Sequence, residues 1–212
     1  MNRKPLLLVV GLMLALVLGC RRTPENMVLL PVADDPTISF RLLFKVGSQN
    51  DPQGKEGLAV LTASLLTQGA TQKHSYEEIL ELLYPMAASI EAQVDKEMTV
   101  IYGRIHKDNL EAFYQLLKEV VLEPAFDEDD FRRVKSDQLN YIQKSLRYAQ
   151  DEELGKEVLY EFIFQGTPYR HNEEGTVKGV EAITLEDVKQ FYRQHYTRAN
   201  LLIGLGGGFD QA

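Results

Sequence analysis

The four histidines are the residues best suited to bind a metal ion or to transfer a proton near neutral pH. They are His74, His106, His171 and His195, and the two closest along the chain are 24 residues apart. Two imidazoles on one helix reach the same metal ion only when they are three or four residues apart. The sequence therefore contains no local histidine pair, although a zinc site assembled from distant residues stays open. Otherwise each histidine is expected to be solvated or hydrogen-bonded.

Other candidate chemical groups give weaker patterns. Ser64 and Thr62 lie in an apolar segment, but a serine nucleophile needs an adjacent base, and no Gly-x-Ser-x-Gly turn occurs. The acidic run 127–130 lacks the spaced ligands and central glycine of a calcium loop, so helix capping explains it better. The glycines 206–208 follow a predicted strand, but no phosphate-binding helix follows them, which excludes a dinucleotide fingerprint.

The only cysteine, Cys20, ends an N-terminal leader-like segment. Arg3 and Lys4 precede the apolar run 6–18, which is short for a transmembrane helix and suits a signal peptide. The run ends in Val-Leu-Gly-Cys, which resembles a bacterial lipobox, where the cysteine is lipidated after cleavage. We therefore expect a lipoprotein signal peptide over 1–19, a tether over 20–26 and attachment to a membrane through lipid on Cys20. A chance thiol at the end of an N-terminal anchor is the alternative.

Both interpretations place the rest of the chain in the bacterial cell envelope. The residue after Cys20 is Arg21 rather than the aspartate that often marks inner-membrane retention, which favours the outer membrane, facing the periplasm. A single cysteine also excludes internal disulfides and multi-cysteine metal sites.

Length and charge narrow the class of protein further. The chain has 212 residues, 23 basic and 31 acidic side chains, and a formal charge of −8. Removal of Arg3 and Lys4 with the leader would leave 21 basic side chains and a charge of −10. An acidic chain without a dominant basic stripe is a poor nucleic-acid binder. The hydrophobic fraction of 44% excludes a wholly disordered protein, and we expect one domain over 27–212.

Hydrophobic periodicity predicts an α+β fold. The helix predicted over 56–67 is apolar nearly all round, which indicates burial. Capping residues start two others: Ser75 with Glu78, and Thr184 with Asp187. Strands are predicted at 27–32, 38–46, 88–94, 98–105 and 199–205, and helices at 56–67, from 75, at 107–121, 127–148 and 151–164, and from 184. This order predicts a mainly antiparallel sheet with helices packed on one face.

Two segments, 44–66 and 169–210, resemble the insulinase/pitrilysin metallopeptidase family. The first contains a strand, a Gly-Ser turn and a helix that starts Gly57-Leu58-Ala59. The second contains Gly175-Thr176, the helix segment 182–192 and a glycine-rich strand over 200–209. These segments occur in the family's order, and the resemblance covers nearly the whole chain after the leader.

The resemblance implies a zinc site in active members and its loss here. Active members carry His-x-x-Glu-His on the helix that begins Gly-Leu-Ala. Aligned on those three residues, the two histidines fall at Val60 and Ser64 and the glutamate at Ala63, while the third ligand falls near Asn140. Valine and alanine have no donor atom, and serine is a poor zinc ligand. We therefore expect no catalytic residues at these degenerate positions and no bound zinc.

The resemblance also implies a peptide-binding strand. The family's substrate strand corresponds to 88–94, so peptide contacts would fall at Ala88, Ser89, Ile90, Glu91 and Ala92. Glu91 replaces the family's asparagine, which weakens the case for a substrate contact there. An ordinary sheet strand is the alternative.

These features lead to three functional hypotheses. We expect a catalytically silent, lipid-anchored family member that is the partner or peptide-binding subunit of an active homologue. The alternatives are a zinc metallopeptidase with relocated ligands and a structural envelope lipoprotein. The family's typical chain has two related halves and only one is visible, so we expect a chain truncated at its C-terminus, whose second half would be another chain.

Overall fold

A five-stranded sheet organises the described part of the chain. The computed structural model describes residues 25–149 and 151–210. The strands are β1 (Met27–Pro31), β2 (Thr37–Phe44), β3 (Glu91–Val94), β4 (Thr99–His106) and β5 (Leu201–Gly207), in the spatial order β1-β5-β2-β4-β3. Only β1 and β5 pair in parallel; the other neighbours are antiparallel. The predicted α+β class with a mainly antiparallel sheet is confirmed.

The helices and short turns follow the strands in chain order. The α-helices are α1 (Leu58–Gln68), α2 (Tyr76–Leu83), α3 (Leu110–Leu122), α4 (Glu128–Asn140), α5 (Leu146–Ala149), α6 (Asp151–Ile163), α7 (Val177–Ala182) and α8 (Leu185–His195). Short 3-10 turns occupy Ser48–Asn50, Tyr84–Met86 and Lys107–Asn109. Among these described helices, none has both the length and the apolar character that a bilayer crossing requires.

The two faces of the sheet differ as the alternation of β2 predicts. Ile38, Phe40 and Phe44 are buried toward the helices, whereas Ser39 and Arg41 are exposed on the other face. Helix α1 packs against β3, β4, α4 and α8. Eight of its residues are buried, which places it at the centre of the core as its continuous apolar pattern predicts.

The predicted caps are present. Ser75 and Glu78 form a reciprocal capping box at α2, and Thr184 and Asp187 form another at α8. Asp127 accepts hydrogen bonds from the backbone of α4, which confirms that the acidic run contributes a helix cap.

Two predicted elements have the wrong extent. The helix predicted over 127–148 is divided, because a π-helical turn at Tyr141–Ser145 separates α4 from α5. The strand predicted from Ala88 begins only at Glu91. Before it, Ala87 is left-handed (φ 48°) and Ile90 is buried, so residues 88–90 form an irregular approach to the sheet.

Candidate functional site

Helix α1 places the three residues expected at the family's catalytic positions in or near the core. The side chain of Ala63 is buried, whereas Val60 and Ser64 are partly exposed. The nearby hydroxyl of Thr62 donates to the carbonyl of Leu58 at 2.8 Å, so it is satisfied within its own helix. These groups offer one hydroxyl, on Ser64, and neither an imidazole nor a carboxylate.

The N-terminus of α1 is capped from a distance by a buried aspartate. Gly57 precedes the helix and has no side chain that could cap it. Asp51 accepts from the backbone N–H of Gly57 at 2.7 Å and of Ala59 at 2.8 Å. The Nε2 atom of His171 lies 3.2 Å from the Asp51 carboxylate, and the Asp51 side chain has no exposed surface. Burial raises the pKa of Asp51 despite these hydrogen bonds.

Gln138, rather than Asn140, connects α4 to the start of α1. Its Nε2 atom donates to the carbonyls of Gly57 at 3.1 Å and Glu174 at 2.8 Å. Its Oε1 atom is buried and has no hydrogen-bond partner among the described residues. Asn140 is exposed at the end of α4. Gly57 has a positive φ of 104°, and a Cβ atom there would lie 2.6 Å from the Glu174 carbonyl.

A group of glutamates lies beside this junction. Burial, followed by the charges of Glu173 and Glu157, raises the pKa of Glu174 to about 7. Burial also raises the pKa of Glu157, whose charged neighbours are Glu173 and Lys96. Lys96 forms an ion pair with Glu173 at 3.1 Å. Glu174 is therefore protonated at higher pH than an ordinary glutamate. Such a shift occurs both in residues that transfer protons and in buried carboxyl groups with only a structural role.

The candidate peptide strand, β3, forms one edge of the sheet and packs beside α1. Hydrogen bonding in an antiparallel pair alternates along the strand. The backbone N–H of Asp95 donates to Met98 at 2.8 Å, and Gln93 is paired with Val100. Because the backbone of Asp95 is bonded to β4, the alternation directs the backbone groups of Gln93 toward β4 as well. It directs the backbone groups of Ala92 and Val94 toward the open edge.

The five residues expected to bind peptide occupy two different environments. Glu91 and Ala92 lie in β3, whereas Ala88, Ser89 and Ile90 precede it; all five line a cavity of about 330 Å³ together with α2. The Glu91 carboxylate accepts from the hydroxyls of Ser89 at 2.6 Å and Tyr102 at 3.0 Å. Its side chain is therefore held against the sheet, and the free groups of this edge are backbone groups.

The remaining histidines have separate local partners. His74 lies 2.9 Å from a Glu119 oxygen, His106 lies 3.3 Å from Asp108, and the ring of His195 packs on Phe191. Across residues 25–149 and 151–210, no three His, Cys, Asp or Glu side chains are grouped as metal ligands. The donor set on α1 does not fit a zinc ion. Cys20, the expected lipidation site, lies outside the described residues.

The local sequence pattern could not have predicted the Asp51–His171 pair or the hydrogen bonds by which Gln138 joins Gly57 to Glu174. Asp51 is 120 residues from His171, and Gln138 is 81 residues from Gly57. The available signal was Gly57, because a glycine at a helix start has no side-chain acceptor for the first backbone N–H groups of the helix.

Comparisons with known proteins match most of the described chain. A family model described as Insulinase (Peptidase family M16) matches residues 27–177. The structure superposes with a TM-score of 0.80 on a crystal structure described as a peptidase M16 inactive domain from Pseudomonas fluorescens. That protein is 26% identical, and the match covers 87% of this chain and 44% of that one.

Two curated relatives carry contrasting descriptions. An "Uncharacterized zinc protease" of Rickettsia bellii is 24% identical over 176 residues, which cover 82% of this chain and 42% of the relative. A "Non-peptidase homolog YmxG" of Helicobacter pylori is 27% identical over 169 residues, which cover 79% of this chain and 38% of the relative. The chain thus spans less than half the length of either relative.

Proposed function

Because the chain belongs to the insulinase family (peptidase family M16), we propose that it is a catalytically silent, lipid-anchored member of that family. In this role it serves an active homologue as a partner that holds an extended peptide. The lipid is on Cys20, and the protein faces the periplasm from the outer membrane.

The observation that carries this proposal is the donor set on α1. Zinc-dependent peptide hydrolysis needs protein ligands that hold the ion and a base that accepts a proton from the attacking water. Val60 and Ala63 have no donor atoms, and Ser64 has only a hydroxyl. Ala63 is 1% exposed, so solvent has no access to the position at which the resemblance places the general base.

The sheet edge supports a retained binding role. A peptide that adds to a sheet uses main-chain hydrogen bonds, which survive the loss of catalytic side chains. The outward backbone groups of Ala92 and Val94 could pair with such a peptide beside α1. Glu91 is held by Ser89 and Tyr102, so affinity would come mainly from the peptide backbone.

The descriptions of relatives are consistent with a silent member. The family contains one relative described as a non-peptidase homolog and one structure described as an inactive domain. It also contains a relative from Arabidopsis thaliana described as a probable mitochondrial-processing peptidase subunit beta, 22% identical over 171 residues. Members described as inactive and members described as subunits both occur among proteins similar to this one.

Metal analysis and hydrolysis assays test the silent state. The full chain, purified from membranes with an excess of zinc, is expected to contain far less than one zinc ion per chain and to leave casein peptides intact. Stoichiometric zinc together with chelator-sensitive cleavage would contradict the proposal and favour a metallopeptidase with relocated ligands. Mass spectrometry of the same sample reports whether Cys20 carries acyl chains.

Native co-purification tests the partner role. We expect the chain to be isolated from membranes with a homologue that carries His-x-x-Glu-His. Isolation as a lone monomer under conditions that preserve membrane complexes would count against this role.

A proline substitution at the open edge tests peptide binding. Ala92→Pro removes one outward N–H and no bond to β4. Proline is accommodated in a sheet only at such an edge position, where its missing N–H has no partner strand. The affinity for a fluorescein-labelled, unstructured casein peptide is expected to fall about tenfold, because a main-chain bond is lost and the proline ring obstructs the edge. Fluorescence anisotropy measures this change.

Two further variants separate binding from folding. Ala92→Ser keeps the N–H and should bind the probe as the parent chain does. Gln93→Pro removes a bond to β4 and should instead lower the free energy of unfolding. Equal probe binding by the parent chain and Ala92→Pro would exclude pairing at this edge.

A further inference from the structure

The chain enters the fold at one defined end of the sheet. The side-chain amide of Asn26 donates to the carbonyl of Leu201 at 3.3 Å, and the carbonyl of Asn26 accepts from the N–H of Ile203 at 2.9 Å. Strand β1 begins at the next residue. Asn26 is therefore fixed where β1 and β5 both begin.

Two unpaired cations lie at this end. Lys45 directly follows β2, and Arg198 lies shortly before β5; both side chains are exposed. The N–H of Lys45 donates to the carbonyl of Asn200 at 3.0 Å, which ties the two loops together. Lys45 and Arg198 line a hollow of about 630 Å³ with Glu25, Asn26, Ala199, Leu201 and Leu202. Among the described residues, no carboxylate lies within ion-pair distance of either cation.

We propose that this basic hollow is the membrane-facing end of the protein and binds the headgroups of anionic phospholipids. The inference rests on the proposed lipid anchor at Cys20. Asn26 follows Cys20 by six residue steps, and an extended chain of that length spans at most about 20 Å. Asn26 must then stay within about 20 Å of the bilayer, so this end of the sheet is the part of the fold held nearest to lipid.

Charge favours the same orientation. Each lysine or arginine close to an anionic membrane contributes about 1 kcal/mol of attraction, and the attraction decays over a Debye length of about 8 Å. Two cations, Lys45 and Arg198, and one carboxylate, Glu25, line the hollow, so its formal net charge is +1 (2 − 1). The chain after the leader carries a formal charge of −10, so the remainder of the protein is repelled by the same surface.

This orientation leaves the candidate peptide edge free. Strand β3 lies four strands across from β1, which is about 19 Å at a spacing of about 4.8 Å. The loop at the same end of β3 carries Asp95, Lys96 and Glu97. Lys96 is paired with Glu173, so the two carboxylates dominate and an anionic surface repels this loop. The protein is therefore expected to tilt so that the β1 edge is near lipid and the β3 edge faces solvent.

Quenching by labelled lipid tests the orientation. Acylation of Cys20 leaves the chain without a free thiol, so one introduced cysteine carries the fluorophore uniquely. The full lipidated chain is placed in lipid nanodiscs that contain a headgroup-attached quencher, with or without phosphatidylglycerol in phosphatidylcholine. A label at Ala199→Cys is expected to be quenched at least twofold more than a label at Gln93→Cys when phosphatidylglycerol is present.

Charge reversal and salt test the cause. The double variant Lys45→Glu with Arg198→Glu should at least halve the excess of quenching at position 199 over position 93. Salt at about 1 M, where the Debye length is about 3 Å, should have the same effect. Lys118→Glu reverses an exposed charge on α3 and should leave the excess unchanged. Equal quenching at both labels in an acylated chain would overturn the inference while the anchor stands. A mass spectrum that shows no acyl chains on Cys20 would overturn both the inferred orientation and the proposed lipid anchor.

Discussion

Glutamine at position 174 should stabilise the protein at alkaline pH and have little effect at acidic pH. Burial and the charges of Glu173 and Glu157 raise the pKa of Glu174 from 4.5 to about 7. The folded state therefore holds this proton more tightly than the unfolded state. The stability that protonated Glu174 contributes is complete below pH 4.5 and is lost as the pH rises to about 7.

The size of the effect follows from the shift. At about 1.4 kcal/mol per pKa unit, the whole change in the pKa of Glu174 corresponds to about 3 kcal/mol in the free energy of unfolding. Screening by water at this partly exposed group reduces the expected value to about 1 to 3 kcal/mol. Glu174→Gln should gain that free energy of unfolding at pH 8 and much less at pH 5. Urea unfolding followed by circular dichroism measures the midpoint at each pH, with an unchanged slope expected.

An exposed control isolates the cause. Glu81→Gln removes a charge from the exposed face of α2 and should change the midpoint little at either pH. Equal stabilisation by Glu174→Gln at pH 5 and pH 8 would refute the electrostatic reasoning. Destabilisation at pH 8 would mean that the carboxylate of Glu174 makes a favourable contact that outweighs its burial.

Two further substitutions test the junction around α1. Gly175→Ala should cost at least about 2 kcal/mol more than Gly54→Ala, because both glycines have φ near 80° but only at Gly175 would the Cβ atom collide, 2.0 Å from the Glu56 carbonyl; chemical denaturation of the two variants gives the difference, and equal losses would exclude the collision. Asp51→Ala should cost about 2 kcal/mol, since two backbone N–H groups at the start of α1 and His171 lose their acceptor. The rate of amide hydrogen exchange should then increase most in the first turn of α1. A uniform increase over the chain would argue against a capping role.

Local sequence signals predicted the elements that depend on neighbouring residues. Ser75 with Glu78 and Thr184 with Asp187 cap their helices within four residues, so their spacing alone was sufficient. The buried helix α1 was equally accessible, because apolar residues on every side leave it no solvent-facing stripe.

Long-range contacts decided what the sequence could not predict. The π-helical turn at Tyr141–Ser145 interrupts a segment whose composition suits a continuous helix. The close approach of the Ser89 carbonyl to Gly103, where a Cβ atom would lie 2.3 Å away, accompanies the irregular backbone before β3. Neither feature has a periodicity, since each depends on a neighbour brought close only by the fold.

Packing at Ala63 also bears on the proposed loss of catalysis. The resemblance places the general base of active relatives at this position, yet the side chain here is 1% exposed and lies in a helix whose other neighbours are mostly buried. A glutamate there would have to bury a carboxylate without a metal ion or a cationic partner on α1, which costs several kcal/mol. Ala63→Glu alone is therefore expected to destabilise the fold rather than restore hydrolysis, so the proposed silent state would involve the packing around α1 as well as the ligand positions.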